Sequence, residues 1–267
     1  MAYGTIAAVR DDQPSNDQPS NHQPSQRSDH DHQPSAISHR IVALLEVLIC
    51  SSIPTQLALQ GTLGVFGYRP FAPNGDLRVG YVVGVSLIDS ALLIGLVFLF
   101  LYVHDERPRD VLVGRRSPLR EAGAGLALVP VALGLAIAVL LTAQRLAPFL
   151  HTVEKNPLQA LMQSPRDAWL FALVVIVAGG VREEIQRAFQ LHRFEVWLGG
   201  GRVGVIVTSA AFGAGHLLQG ADAAIVTGLL GALWGVVYLR RRSVIAPMVS
   251  HAGFDLIQIL QFLAAGR

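Results

Sequence analysis

Residues 80–103 read GYVVGVSLIDSALLIGLVFLFLYV, and within them Asp89 is the only charged side chain. A helix crosses a hydrocarbon core about 30 Å thick with roughly 20 mostly apolar residues. This stretch has the length and the composition to do so. The whole chain agrees with it, since 51% of its 267 residues are hydrophobic and only 15% are charged. Comparable apolar runs occupy 41–61, 120–144, 168–191, 203–218, 222–239 and 244–264. The fold class expected is therefore all-α, a polytopic membrane helical bundle of about seven transmembrane helices.

Ahead of the first run, residues 1–38 repeat Gln-Pro-Ser at 13–15, 18–20, 23–25 and 33–35 among Asp, Asn and His. Such a segment buries too little apolar surface to offset chain entropy. It reads as a disordered low-complexity tail without the apolar core of a signal peptide, and 39–267 as the transmembrane helical domain. His22, His30, His32 and His39 are spaced too irregularly for a metal motif and read as solvated tail histidines.

The formal net charge of +2 gives no electrostatic footprint for nucleic acid, and none is expected as a partner. The basic residues instead cluster between apolar runs: Arg107, Arg109, Arg115, Arg116 and Arg120; Arg193 and Arg202; Arg240, Arg241 and Arg242. These loops fall on one side, which the positive-inside rule makes cytoplasmic, with the N-terminal tail inside and the C-terminus outside. The lipid bilayer is the first partner implied. Cys50, the single cysteine, allows no intrachain disulfide or CxxC site and reads as a packed residue.

Ionisable groups at membrane depth are costly and point to function. Glu46 and Asp89 have no polar neighbour at helical spacing and read as structural or cavity-facing. The run Gly179-Gly180-Val181-Arg182-Glu183-Glu184-Ile185-Gln186-Arg187 differs, placing two adjacent acids in an otherwise apolar span. On a regular α-helix Glu183 and Arg187 stack as an i, i+4 pair, with Glu184 on the neighbouring face. Phe212-Gly213-Ala214-Gly215-His216 sets a histidine one turn after an aromatic ring. In the last span His251 and Asp255 share a face at i, i+4, so the acid can accept a hydrogen bond from the imidazole. Together these groups supply a water-activating base and oxyanion stabilisers.

The three motifs, in this order and at these separations, resemble the CAAX-protease and bacteriocin-processing (CPBP/ABI) family of intramembrane endopeptidases. The family pattern is a Glu pair with a following Arg, then Phe-xxx-His, then His-xxx-Asn or Asp. The resemblance covers about 168–262, the catalytic core. It implies an intramembrane endopeptidase acting on a membrane-associated peptide or protein, and a multi-pass protein of a bacterial plasma membrane. It also implies Glu183 as general base, His216 positioning a water, His251 stabilising an oxyanion and Asp255 orienting His251 or donating when protonated. Glu184 would position the site, Arg187 would support it and Phe212 would shape its wall. Two positions depart from the pattern: Ala188 stands where the family arginine usually is, with Arg187 one residue earlier, and Asp255 replaces the commoner Asn.

Glu183, His216 and His251 also make an acceptable zinc set, so a metal-free glutamate route and a zinc route are both open at this level. By rise per residue, Glu183 and His251 each lie about 12 Å from the cytoplasmic boundary, and His216 about 21 Å unless span five starts below the surface. The competing reading is a non-catalytic transporter, immunity factor or scaffold with the same fold. Convergence of the three motifs around one cavity discriminates between them.

Overall fold

The structure is a computed structural model, and it describes residues 36–73, 75–153 and 161–264. The Gln-Pro-Ser tail lies outside the described residues, apart from its last three positions, which open the first helix. Nine α-helices are present among the described residues: α1 (Ala36–Ile49), α2 (Ile53–Val65), α3 (Val79–Val103), α4 (Pro118–Leu146), α5 (Pro165–Val174), α6 (Glu184–Val196), α7 (Gly201–Ala214), α8 (Ala221–Arg241) and α9 (Ile245–Ala264). His39 is not in a tail. It sits in α1 and stacks on Trp197 with ring centroids 4.7 Å apart.

Among the described residues, three helices, α3, α4 and α8, are long and apolar enough to cross a membrane. A fourth span is added if α1 and α2, bent by 47°, count as one. That bend replaces the unbroken helix expected over 41–61. Pro54 disfavours helical backbone in the residue before it and has no N–H of its own to donate. The chain turns at Ser52, whose φ of 69° is left-handed. The expected spans at 168–191, 203–218 and 244–264 fall on helices that are broken, short or too polar to meet the same standard.

The span expected over 168–191 is built in three parts. Between α5 and α6 the backbone opens into a π-helical stretch, Val175–Glu183, wider than an α-helical turn and containing Gly179 and Gly180. Such bulges inside helices are frequent at functional sites. The glycines have a steric reason. A Cβ at Gly180 would lie 2.7 Å from Ala252 Cβ, and one at Gly179 would lie 2.8 Å from Asp255 Oδ2. Without side chains here, α9 can approach the bulge closely.

The acids that looked isolated in sequence have partners from distant helices. Glu46 Oε2 accepts from Arg193 Nε at 2.5 Å, and Glu46 Oε1 lies 2.6 Å from His104 Nε2. Arg193 also donates to Glu106 at 2.6 and 2.9 Å, and His192 Nε2 lies 2.8 Å from Glu106. This network fastens α1 and the turn after α3 to α6. Asp89 accepts from Thr55 Oγ1 at 2.5 Å, tying α3 to α2. Cys50 is fully buried, and its carbonyl accepts from Gln190 at 3.2 Å.

Candidate active site

Glu183 closes the π-helical stretch and Glu184 opens α6, so the two adjacent acids face different surroundings. Glu184 is 2% exposed. Its Oε1 accepts from Arg187 Nη1 and lies 2.8 Å from His251 Nδ1. Glu183 keeps 18% of its side chain exposed and lines two cavities. One carboxylate is therefore committed to internal pairing and the other is presented to open space.

Arg187 pairs with Glu184, not with Glu183 as the regular-helix argument expects. Arg187 is four residues from Glu183 and three from Glu184, and both separations bring side chains together on an α-helix, so helix geometry alone leaves either acid in reach. The guanidinium is also drawn sideways, lying 4.6 Å from the ring centre of Phe212 and 5.7 Å from that of Trp234. Cation–π contact of this kind strengthens as water is excluded. The displaced arginine thus reaches the second acid of the pair, at i, i+3.

His251 comes from α9 and is 5% exposed. Its two nitrogens have separate environments. Nδ1 faces Glu184, whereas Nε2 lies 3.6 Å from Asp255 Oδ2 and 3.9 Å from Glu183 Oε2. Trp234 of α8 stacks on the ring with centroids 3.9 Å apart and planes 19° from parallel. Its indole is held by a hydrogen bond from Nε1 to Ser250 Oγ at 3.1 Å. Hydrogen bond, stacking and ion pair together leave the imidazole little freedom, with Nε2 turned towards Glu183.

His216 lies just past the end of α7, followed by the short 3₁₀ turn Leu217–Gln219. Its Nδ1 is 2.8 Å from the Phe212 carbonyl. A carbonyl only accepts, so Nδ1 is the donor and carries a proton. Phe212 contacts both histidines edge-on, at 4.9 Å from His216 and 6.1 Å from His251. His216 also lines both cavities that Glu183 lines, despite the greater depth its position suggests.

The first cavity, about 490 Å³, is bordered by Glu183, His216, His251 and Asp255 and has a largely apolar remainder that includes Phe171, Trp234 and Phe254. The second, about 550 Å³, lies on the side of α2, and its walls include Ser52, Gln186 and Gln190. Arg182, Glu183, Phe212 and His216 border both. All three sequence motifs therefore converge on one location, with Glu184 and Arg187 forming its buried support.

The zinc set does not fit. Among the described residues, no group of three or more His, Cys, Asp or Glu side chains is spaced to hold a metal ion. Glu183, His216 and His251 share a cavity wall without forming such a cluster.

Sequence reasoning overlooked Trp234 and Arg182. Trp234 lies in an apolar span with no polar residue at helical spacing to single it out. Arg182 has one partner near in sequence, Gln186, but the other, Ser52, comes from the turn before α2, 130 residues earlier.

No curated protein and no solved structure matches the chain. Residues 165–257 match the family model described as Rce1-like, type II CAAX prenyl endopeptidase Rce1-like. That segment contains both glutamates, Arg187, Phe212, both histidines and Asp255, and by its motifs and its family match it is similar to the CAAX-protease family.

Proposed function

We propose that this multi-pass membrane protein is an intramembrane endopeptidase that hydrolyses a peptide bond with a glutamate-activated water. The observation that carries the reading is the placement of Glu183. It is the one acid of the pair open to both cavities, and it faces Nε2 of a histidine whose other nitrogen is already committed.

A water between Glu183 and His216 loses its proton to the Glu183 carboxylate as its oxygen bonds to the substrate carbonyl carbon. His216 Nε2, left as an acceptor by the proton on Nδ1, orients that water. The carbonyl π electrons move onto oxygen, and His251 Nε2–H donates to the oxyanion. Collapse breaks the C–N bond, and the proton held by Glu183 passes to the leaving amine. Asp255 orients His251 from beside Nε2, and Glu184 with Arg187 fixes the imidazole from behind, through Nδ1.

The expected orientation has the N-terminus on the cytoplasmic side of a bacterial plasma membrane. Supporting it, by the positive-inside rule, are the arginine clusters in the turn after α3, with Arg107 and Arg109, and at the end of α8, with Arg240, Arg241 and Arg242. The test is substitution of Glu183 by glutamine, which removes the base at nearly constant volume: cleavage disappears while the protein stays folded.

A further inference from the structure

Two arginine clusters that are far apart in the chain meet at one end of the bundle. Val244 N donates to the Leu112 carbonyl at 2.8 Å, and Tyr238 Oη donates to the Val111 carbonyl at 2.9 Å. Gly114 comes so close to the Arg242 carbonyl oxygen that a Cβ there would collide with it. Glu121 is 1% exposed and joins the two clusters. It accepts from Arg241, 120 residues away in the chain, at 2.7 and 2.9 Å, and Arg116 Nε is 3.9 Å from it. Glu195 takes up Arg242 through a two-point pair. Arg115, Arg116, Arg120, Arg240, Arg241 and Arg242 thus meet two carboxylates, which leaves an excess of four positive charges. Arg115, Arg120 and Arg240 are exposed and, among the described residues, have no carboxylate within ion-pair distance.

The positive-inside rule accounts for arginines in each loop but not for the two loops coming together, because like charges held close repel unless an anion lies between them. α4 starts at Pro118 and α8 ends at Arg241, and both are long and apolar enough to span a membrane. The patch therefore lies where spans leave the hydrocarbon and phosphate headgroups begin. Apolar surface continues from it. Leu119 and Leu126, 84% and 64% exposed, share a face of α4 with Gly123, where a Cβ would meet nothing within 4 Å. An acyl chain gains contact along that strip, whereas a soluble anion gains none.

We infer that this patch binds the headgroup of an anionic phospholipid through Arg115, Arg120 and Arg240, with an acyl chain along Leu119 and Leu126. Guanidinium groups recognise phosphate at two points, with a geometry that lysine does not reproduce. Glu121 and Glu195 are taken up by Arg241 and Arg242, so these pairs fasten the arginine-bearing segments and leave the other guanidiniums for the lipid. Such a site is independent of the peptidase reading, since none of these residues borders either cavity.

The test is lipid binding by the purified full-length protein in detergent. Phosphatidylglycerol and phosphatidylcholine carrying the same fluorescent acyl chain are titrated separately, so that only the headgroup differs. The native protein is expected to bind phosphatidylglycerol about tenfold more tightly, with a preference that shrinks as salt rises. Arg115→Gln, Arg120→Gln and Arg240→Gln together should remove the preference, and the three corresponding lysine substitutions should keep part of it. Unchanged phosphatidylcholine binding shows that these variants remain folded. The same loss of charge at the opposite end of the bundle, Arg69→Gln, Arg78→Gln and Arg145→Gln, should leave the preference intact. Equal binding of the two lipids by the native protein overturns the proposal. So does a preference that survives the three substitutions in the patch, or one that the three remote substitutions abolish as well, since net charge alone would then explain it. Displacement of phosphatidylglycerol by millimolar inorganic phosphate or by hexa-aspartate at constant ionic strength also overturns it, because the patch would then be a site for soluble anions.

Discussion

His251 Nδ1 and Glu184 Oε1 lie 2.8 Å apart in a buried environment, and the same carboxylate oxygen accepts from Arg187. Glu184 is thus the shared anion of two cationic or donor groups on different helices. Removing one partner of a buried pair leaves an uncompensated charge, which typically costs about 3–5 kcal/mol. Glu184→Ala should therefore lower the unfolding free energy by about that amount. Glu183→Ala, at a partly exposed position, should cost far less. Chemical unfolding of both variants in detergent makes the comparison, and equal losses would show that the two acids do not have different roles.

The close approach of α9 to the π-helical stretch depends on two glycines. A methyl at Gly180 meets Ala252, backbone and side chain together, so Gly180→Ala should destabilise by about 1–3 kcal/mol through overpacking. At Gly179 the obstructed atom is Asp255 Oδ2. Gly179→Ala should displace Asp255 and the neighbouring His251, lowering kcat by up to about 100-fold, the size of effect expected for a misplacement near 1 Å. Full activity in Gly179→Ala would separate Asp255 from catalysis.

The motifs were legible because each is local. Glu183-Glu184, Phe212 to His216 and His251 to Asp255 lie within one or two helical turns, and their order alone suggested a joint site. The partner of Arg187 was not legible, because Glu183 at i, i+4 and Glu184 at i, i+3 are both within helical reach, and the groups that meet Glu184 and Arg187, which are His251, Phe212 and Trp234, come from other helices. Nor were the partners of Glu46 legible, since Arg193 is 147 residues away in the chain. The break at Ser52 was signalled by Pro54 and overlooked in favour of the surrounding hydropathy.

Glu106 lies outside the membrane-spanning helices, in the turn after α3. Burial pushes its carboxyl up, but hydrogen bonds from His192 and Arg193 outweigh this and hold it below the ordinary carboxylate range. A group with a lowered folded pKa adds stability that is present above its unfolded value, about 4.3, and is lost as pH falls through the folded value. Glu106→Gln should lower stability at neutral pH and flatten the acid limb of the stability curve. Thermal unfolding between neutral pH and about pH 3 reads both effects; parallel curves would contradict the pairing.

Asp255 lies 3.6 Å from His251 Nε2, on the face turned towards Glu183. If it orients that imidazole, Asp255→Asn keeps the shape, removes the charge and displaces the pH–rate profile of cleavage. A profile of unchanged shape and position, at whatever rate, would assign Asp255 to packing alone.

The account is tested most directly by measuring cleavage in the membrane proteome of cells carrying the native protein or Glu183→Gln, with each protein confirmed as folded and membrane-inserted. The prediction is that peptides released by the native protein are absent with Glu183→Gln, while the variant accumulates normally. Release of the same peptides at native levels by the folded variant would contradict the central claim that Glu183 activates the water.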